Sequence, residues 1–364
     1  MSDGLLDKID ADPAAGLQDL IRSLRDEKNY PALFEALLLA KRHELGMPAI
    51  QSTGPYPKAY ENAFLDVARE VGRLYLADGD IESAWPYLRA SGDTQTVAEA
   101  IESIAPREGI DRIIEIAFHE RVHPYKGFEL LLANYGTCRA ISFFEQYPPD
   151  ESQERARQLL VRTIHSEVAA NLKRAIEARE GTAPEAHSLP DLIACRDWLF
   201  GDYDYYVDTS HLLSVLRFSL DLRDAETLGL AVELAEYGKH LSPNFRYETP
   251  PPFEDTYQDH AIYLRALAGR DVDAAIEHFR AKAGTGDSVP AQIFVTLLGR
   301  LERYADAIDA YERYLKAVPA AELACPSLAQ LCVLANDFGA LRRDALERGD
   351  LVSYATARLA TFRS

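Results

Sequence analysis

The stretch GRDVDAAIEHF, Gly269–Phe279, returns 32 residues later as ERYADAIDAY, Glu302–Tyr311. Both copies have a short polar turn, then an alanine, then an aromatic residue four positions later, and the two alanines are Ala275 and Ala307. A small residue lets a neighbouring helix approach closely, and an aromatic residue one turn away fills the remaining gap. The spacing therefore predicts pairs of closely packed helices in the C-terminal third of the chain.

Other parts of the chain extend this pattern. A looser copy, Gly79–Leu88, has the glycine turn and the alanine, and Ala231 stands twelve residues before Pro243, as Ala307 does before Pro319. Together these segments resemble the tetratricopeptide repeat (TPR) family over about a third of the chain. The resemblance implies an all-α fold, an α-solenoid of antiparallel helical hairpins, and a binding scaffold whose ligands vary within the family.

The composition is that of an acidic protein with enough apolar residues for a large core. The 364 residues are 47% hydrophobic and carry a formal net charge of −19. This charge opposes binding to phosphates, so we expect no nucleic-acid partner. No run approaches the roughly 18 uninterrupted apolar residues of a membrane span, and the N-terminal residues lack the basic start and apolar core of a signal peptide. We therefore expect a cytoplasmic protein with no membrane association, whose four cysteines are reduced core thiols.

Apolar residues recur at helical spacing almost throughout, so helices are expected to cover more than about two-thirds of the chain. Breaks rich in proline and glycine bracket a long amphipathic stretch at residues 151–179. We predict an N-terminal array of helical hairpins over residues 1–149, the long helix with its connector over 150–200, and TPR-like repeats with capping helices over 201–364.

The segment His119-Glu120-Arg121-Val122-His123 is an HExxH motif and resembles that of the zincin metalloproteases. In that family the two histidines bind zinc and the glutamate is the general base for a metal-bound water. The resemblance thus assigns His119 and His123 as metal ligands and Glu120 as a catalytic residue. Pro124 biases the preceding residue away from the helical region, so the helix is expected to end or distort there. The alternative is two ordinary histidines at a helix end.

Two later segments place carboxylates and histidines at predicted helix starts. Asp208 and His211 lie at one start, and Asp259 and His260 lie at another. Capping explains the aspartates but not the histidines. If the solenoid curls enough to bring these side chains to the HExxH histidines, they offer nitrogen and oxygen ligands for Zn or another divalent transition metal.

Three functions stay open at this point. The first is an interaction protein that binds a peptide or protein segment in its concave groove, because tyrosine-rich surfaces supply large contact areas. The second is a metal-dependent enzyme, hydrolase or oxygenase-like, and the third is a structural subunit of a larger assembly. The residues predicted to line the ligand groove are Tyr205, Tyr206, Tyr247, Glu254 and Tyr257.

A proline-rich insert, residues 243–255, separates two predicted repeats and is longer than a TPR connection needs. Its three consecutive prolines stiffen it, so it loses little entropy when it is held in place. We expect its aromatic residues to pack back across the groove mouth. Two roles stay open: a lid that brings Glu254 near His211 and His260, or a strap that covers an apolar seam.

Overall fold

The computed structural model describes residues 3–50, 55–284 and 286–361. The chain divides into two compact units, Met1–Ser152 and Gln153–Ser364. Helices make up 72% of the described residues, which contain no strand, so the predicted all-α class and helical fraction are confirmed. None of these helices is both long enough and apolar enough to cross a lipid bilayer.

The first unit has eight α-helices in its described residues, 3–50 and 55–152. They are α1 (Asp3–Ala11), α2 (Pro13–Asp26), α3 (Tyr30–Glu44), α4 (Lys58–Ala77), α5 (Ile81–Ser91), α6 (Thr94–Glu102), α7 (Asp111–Ile114) and α8 (Pro124–Phe144). A π-helical turn, Glu115–His119, continues α7, and Gly136 interrupts α8 with a φ of 77°. Helices α1 to α5 each pack on the next one along the chain.

The second unit has eleven α-helices in its described residues. Its first helix, α9, begins at Ser152, which is the last residue of the first unit. They are α9 (Ser152–Glu180), α10 (Leu189–Ile193), α11 (Thr209–Ser219), α12 (Ala225–His240), α13 (Thr256–Leu267), α14 (Val272–Ala283), α15 (Ser288–Arg300), α16 (Tyr304–Ala310), α17 (Leu328–Ala335), α18 (Gly339–Arg348) and α19 (Leu351–Thr361). A π-helical turn, Tyr311–Leu315, follows α16. The long helix predicted for residues 151–179 is confirmed as α9.

Helix boundaries follow from local capping. The Asp224 carboxylate accepts the Thr227 backbone N–H at 2.8 Å at the start of α12. Ser327 and Gln330 form a reciprocal capping box at the start of α17. Gly92 ends α5 with a φ of 73°, a left-handed conformation that favours glycine. These contacts satisfy backbone groups that a helix end leaves unpaired.

The repeat alanines are buried where helices meet. Ala275 and Ala307 are 1% and 0% exposed, and Ala231 and Ala84 of the looser copies are both fully buried. Helices α13, α14, α15 and α16 contact one another in chain order. The close helix packing predicted at the alanines is therefore confirmed.

The cysteines differ in their environments. Cys332 is buried and Cys325 is half-buried, whereas Cys138 and Cys195 are exposed. The prediction of four core thiols is wrong for the last two. Cys195 lies in a turn after α10, with a φ of 61°, and Cys138 lies on the outer face of α8.

Candidate functional site

The HExxH segment does not form one continuous helix. The π-helical turn ends at His119, Arg121 adopts a φ of 60°, and His123 is non-helical with a φ of −149° and a ψ of 74°. Pro124 then opens α8, so the break predicted from this proline is confirmed. The two histidines lie on different elements, and the one-turn spacing of a zincin motif is lost.

Three donors hold the Glu120 carboxylate. Its Oε2 accepts hydrogen bonds from Trp85 Nε1 at 2.9 Å and Arg89 Nη1 at 2.7 Å, and its Oε1 lies 3.0 Å from Arg112 Nη2. The donors belong to α5 and α7, and the Glu120 side chain is 19% exposed. Because the carboxylate is committed to these donors, its geometry supports a link between helices and not a base for a metal-bound water.

The two motif histidines also have other contacts. His123 Nδ1 accepts the Lys126 backbone N–H at 3.4 Å, which caps α8, and its Nε2 lies 2.8 Å from Glu102 Oε2. His119 is exposed and its ring lies 5.4 Å from the Phe143 ring. These positions fit the alternative of two helix-end histidines better than a pair of zinc ligands.

The six predicted metal ligands are divided between the two units. The HExxH histidines belong to the first unit, and the other four residues belong to the second. Within the described ranges, no group of three or more His, Cys, Asp or Glu side chains is arranged to hold a metal ion. The described residues therefore give no support to a site for Zn or another divalent transition metal at the predicted donors.

Asp208 acts as a helix cap. Its Oδ1 accepts the Ser210 backbone N–H at 2.8 Å and the Ser210 hydroxyl at 2.6 Å. The hydrogen bond from the Ser210 hydroxyl is the main cause of the lowered pKa of Asp208. His211 is half-buried in the first turn of α11. The capping interpretation is confirmed for Asp208.

The predicted groove tyrosines fall into two classes. Tyr206 donates its hydroxyl to a backbone carbonyl at 2.9 Å, and Tyr257 is only 1% exposed. Tyr205 and Tyr247 are 54% and 38% exposed. Only the second pair offers substantial surface to a ligand.

The insert folds back onto the helices that follow it. Phe253 stacks on His260 with ring centroids 4.3 Å apart, and its ring lies 5.9 Å from that of Phe279. Phe253 thus covers aromatic side chains of α13 and α14. This packing supports the strap alternative for the insert.

Asp259 is a buried carboxylate with three donors. Its side chain is 1% exposed, its Oδ1 lies 2.7 Å from His278 Nε2, and its Oδ2 accepts Lys282 Nζ at 2.8 Å and the Asp255 backbone N–H at 2.9 Å. His278 and Lys282 are one turn apart on α14, so both reach α13 from the same face. Sequence analysis missed both residues, and their i, i+4 spacing was the only available signal.

Lys282 also fixes the end of the insert. Its ammonium donates to the Pro252 carbonyl at 2.7 Å and to Glu254 Oε2 at 2.6 Å. Burial disfavours the charge of Lys282, but the hydrogen bonds to Asp259 and Glu254 outweigh burial and raise its pKa. The predicted groove residue Glu254 is therefore part of an ion-pair cluster with Lys282 and Asp259.

His260 is a buried, neutral imidazole. Its Nδ1 lies 2.6 Å from the Thr256 carbonyl, which can only accept, so Nδ1 carries the proton. Its Nε2 is buried and has no hydrogen-bond partner in the described part of the chain. Burial lowers the pKa of His260 to about 4. The ring is thus uncharged at neutral pH.

The Asp259–His278 pair has the form of a carboxylate that orients an imidazole, as in general-base catalysis. A hydrolytic site of this kind also needs a nucleophile within hydrogen-bond reach of the imidazole. Among the described residues, no hydroxyl or thiol side chain is hydrogen-bonded to His278. The contacts of the cluster therefore favour a structural role, in which it links α13, α14 and the insert.

Two of the open grooves among the described residues differ in their chemistry, and sequence analysis identified neither because each depends on how helices pack. The α17 groove of the second unit has a volume of about 720 Å³ and is mainly apolar. The aromatic groove of the first unit has a volume of about 470 Å³ and is lined by rings and carboxylates of α3, α4 and the residues just before α4. The α17 groove is lined by Ala324, Cys325, Pro326, Ala329, Gln330, Val333 and Leu334.

Comparison of the chain with protein-family models, curated proteins and solved structures found no match. The TPR-like and HExxH resemblances therefore rest on the residues quoted above, and any functional conclusion rests on the geometry of the clusters and grooves.

Proposed function

We propose that the chain is a TPR-like interaction protein, an α-solenoid of antiparallel helical hairpins that binds a peptide or protein segment. Two observations support stacked hairpins: the buried repeat alanines and the packing of α13 to α16 in chain order. The observation that carries the binding role is the α17 groove.

The lining of the α17 groove is apolar and accessible. Val333 and Leu334 are 64% and 54% exposed, and both project from the same helix. Gln330 is the polar member of the lining, and its side-chain oxygen already accepts the Ser327 N–H at 2.8 Å. Removing such surface from water is worth roughly 25 cal/mol per Å². An apolar side chain of a partner segment would supply that burial.

The helices after α17 add exposed aliphatic side chains. Leu346 on α18 and Leu351 and Val352 at the start of α19 are between 71% and 79% exposed. Contiguous patches of exposed large apolar residues are typical of protein-interaction surfaces. This supports a protein or peptide ligand for this end of the second unit.

A displayed random-peptide library tests the proposal. Peptides would be selected on the wild-type protein, and the affinity of an enriched peptide would be measured by fluorescence anisotropy. We expect the double substitution Val333→Asp and Leu334→Asp to weaken binding by about tenfold or more, because each places a charge against an apolar ligand. Circular dichroism would show whether the variant keeps its helices.

Val289→Asp is the matched control, because Val289 is an exposed valine, 47% accessible, on α15 outside the groove. It should leave peptide affinity unchanged. Enrichment of no peptide, or an equal loss of affinity in the control, would contradict the proposal.

The metal-dependent alternative, a hydrolase or oxygenase-like enzyme, is not favoured by any contact of the described residues. Elemental analysis after dialysis separates it from the interaction protein. We expect no stoichiometric metal to remain bound, and stoichiometric retention would reverse the order of the two functions.

A further inference from the structure

The aromatic groove of the first unit is chemically unlike the α17 groove. Four rings and two carboxylates contribute to it, from α3, from α4 and from the residues just before α4. These side chains are Phe34, Tyr56, Tyr60, Phe64, Glu35 and Glu61. A set of aromatic faces with adjacent carboxylates is suited to a cation, because the ring quadrupole and the negative charge attract the same ligand.

The rings are held in place by one another. Phe34 and Phe64 meet edge to face with centroids 5.5 Å apart, and Tyr56 and Tyr60 lie 5.2 Å apart. Tyr60 is only 4% exposed, which fixes its ring in the wall of the groove. A ligand would therefore meet preformed aromatic surfaces and would not have to order them.

The two carboxylates are available for an incoming charge. Neither Glu35 nor Glu61 forms an ion pair with another described residue, and both are exposed. Burial raises the pKa of Tyr87, and the charge of Glu35 adds to this rise. The ring centroids of Tyr87 and Phe34 lie 5.1 Å apart, and Phe34 lines the aromatic groove. The negative charge of Glu35 therefore acts on the aromatic side chains beside the groove.

One positive group, Arg42, also borders the groove. Its Nε donates to the Tyr60 hydroxyl at 3.0 Å and its Nη1 donates to the Ala49 carbonyl at 3.0 Å. Its guanidinium carbon lies 5.3 Å from the Tyr60 ring centroid. Arg42 is thus occupied by neutral acceptors, and its position shows that a guanidinium fits against the Tyr60 ring. Two carboxylates against one guanidinium leave the groove net negative.

We propose that the aromatic groove binds a lysine or arginine side chain of a partner protein, flanked by apolar residues that contact Leu38 and Leu65. Charge complementarity selects the cation, in a chain whose own net charge is −19. Leu65, which is 37% exposed, and Leu38 form an aliphatic part of the groove lining that accommodates the apolar neighbours of the cation. This site goes beyond the interaction role assigned to the α17 groove, because it lies in the other unit and requires a charged ligand.

The test uses short fluorescein-labelled peptides with a central arginine between two leucines, measured by anisotropy with the full chain. Replacing arginine by citrulline removes the charge and keeps nearly the same shape. We expect the citrulline peptide to bind about tenfold more weakly and the lysine peptide to bind detectably. Binding of the arginine peptide should also weaken as salt is raised. Equal affinity of the arginine and citrulline peptides, or no binding of either, would overturn the proposal.

The protein variants locate the site. Glu35→Gln with Glu61→Gln should reduce affinity for the arginine peptide by about tenfold or more. Glu82→Gln with Glu108→Gln makes the same change in net charge elsewhere in the first unit and should leave affinity unchanged. An equal loss in both pairs would mean that only the overall charge attracts the peptide, and would overturn the assignment.

Two further measurements separate binding at the aromatic groove from binding at the α17 groove and from self-association. The Val333→Asp and Leu334→Asp variant should keep its affinity for the arginine peptide, so failure of the α17 groove and failure of the aromatic groove are distinguishable. Sedimentation of the wild-type chain tests a second copy as the occupant. A dimer that dissociates in the Glu35→Gln, Glu61→Gln variant, with no peptide binding in either protein, would overturn a partner protein as the source of the cation.

Discussion

Glu120 in the first unit and Asp259 in the second are both carboxylates that receive three donors from more than one element of structure. They differ in access to water. The Glu120 side chain is 19% exposed and its arginine partners Arg89 and Arg112 are 67% and 40% exposed, whereas the Asp259 side chain is 1% exposed. Water can replace lost donors at Glu120 but not at Asp259. The energetic importance of such a cluster is therefore set by its burial more than by its number of hydrogen bonds.

Substituting the two carboxylates tests this contrast directly. Asp259→Ala should destabilise the second unit by about 3 kcal/mol, because it removes the buried carboxylate that accepts from both His278 and Lys282, while Lys282 keeps Glu254. Glu120→Ala should destabilise the first unit by about 1.5 kcal/mol, since its donors can turn to water. Urea unfolding followed by circular dichroism would measure both values.

Asp273→Ala serves as the control for the second unit. Asp273 is 95% exposed and lies 3.6 Å from Arg303, so its loss should cost about 0.5 kcal/mol or less. If Asp259→Ala proved no more destabilising than Glu120→Ala, burial would not be the property that separates the two clusters.

Acidification should destabilise the second unit, because the residue after Asp259 is the buried histidine His260. The folded-state pKa of His260 is about 4, below the usual value of 6.5, mainly because burial disfavours the charged ring. The stability that comes from keeping the ring neutral is present above about pH 6.5 and is lost as the pH falls toward 4. The total loss is on the order of 3 kcal/mol. Nearby Asp259 favours the charged ring and Arg217 opposes it.

The dependence would be measured as the free energy of unfolding between pH 7 and pH 4. His260→Asn should make the free energy of unfolding depend less on pH, because the substitution removes the titrating group. His211→Asn removes a half-buried histidine at the start of α11 and should leave the pH dependence of the free energy of unfolding as it is in the wild type. A slope that His260→Asn does not change would assign the acid sensitivity to other groups.

The smallest effect is expected at Glu254, the exposed member of the Asp259 cluster. Its side chain is 49% accessible, and Lys282 keeps both Asp259 and the Pro252 carbonyl when Glu254 is lost. Glu254→Gln should therefore cost about 0.2–1 kcal/mol, and less at high salt. Thermal unfolding at low and high salt would measure this. A cost equal to that of Asp259→Ala would make Glu254 the principal partner of Lys282.

Local patterns predicted the helices and several of their ends. The spacing of apolar residues is a property of one segment alone, so α9 and the repeat helices could be predicted without knowledge of the fold. The effect of Pro124 on His123 is also local, and the break of the HExxH segment was predictable for that reason. The cap at Asp208 belongs to the same class of local contact.

The partners of the buried polar residues were not predictable in this way. Asp259 and His260 stood out because they lie at a predicted helix start, but the two side-chain donors of Asp259 lie 19 and 23 residues further along the chain. Glu120 is likewise held by Trp85, 35 residues before it. Such contacts depend on which faces of two helices meet, and the same is true of both grooves.

The contact of Lys282 with the insert has a consequence for synthesis of the chain. The insert and α13 leave the ribosome before α14, which carries the ammonium that pairs with Asp259 and binds the Pro252 carbonyl. Until α14 emerges, a closed insert would enclose the Asp259 carboxylate without its cation, which is unfavourable. In the folded chain, the closed position of the insert therefore depends on the helix that follows it.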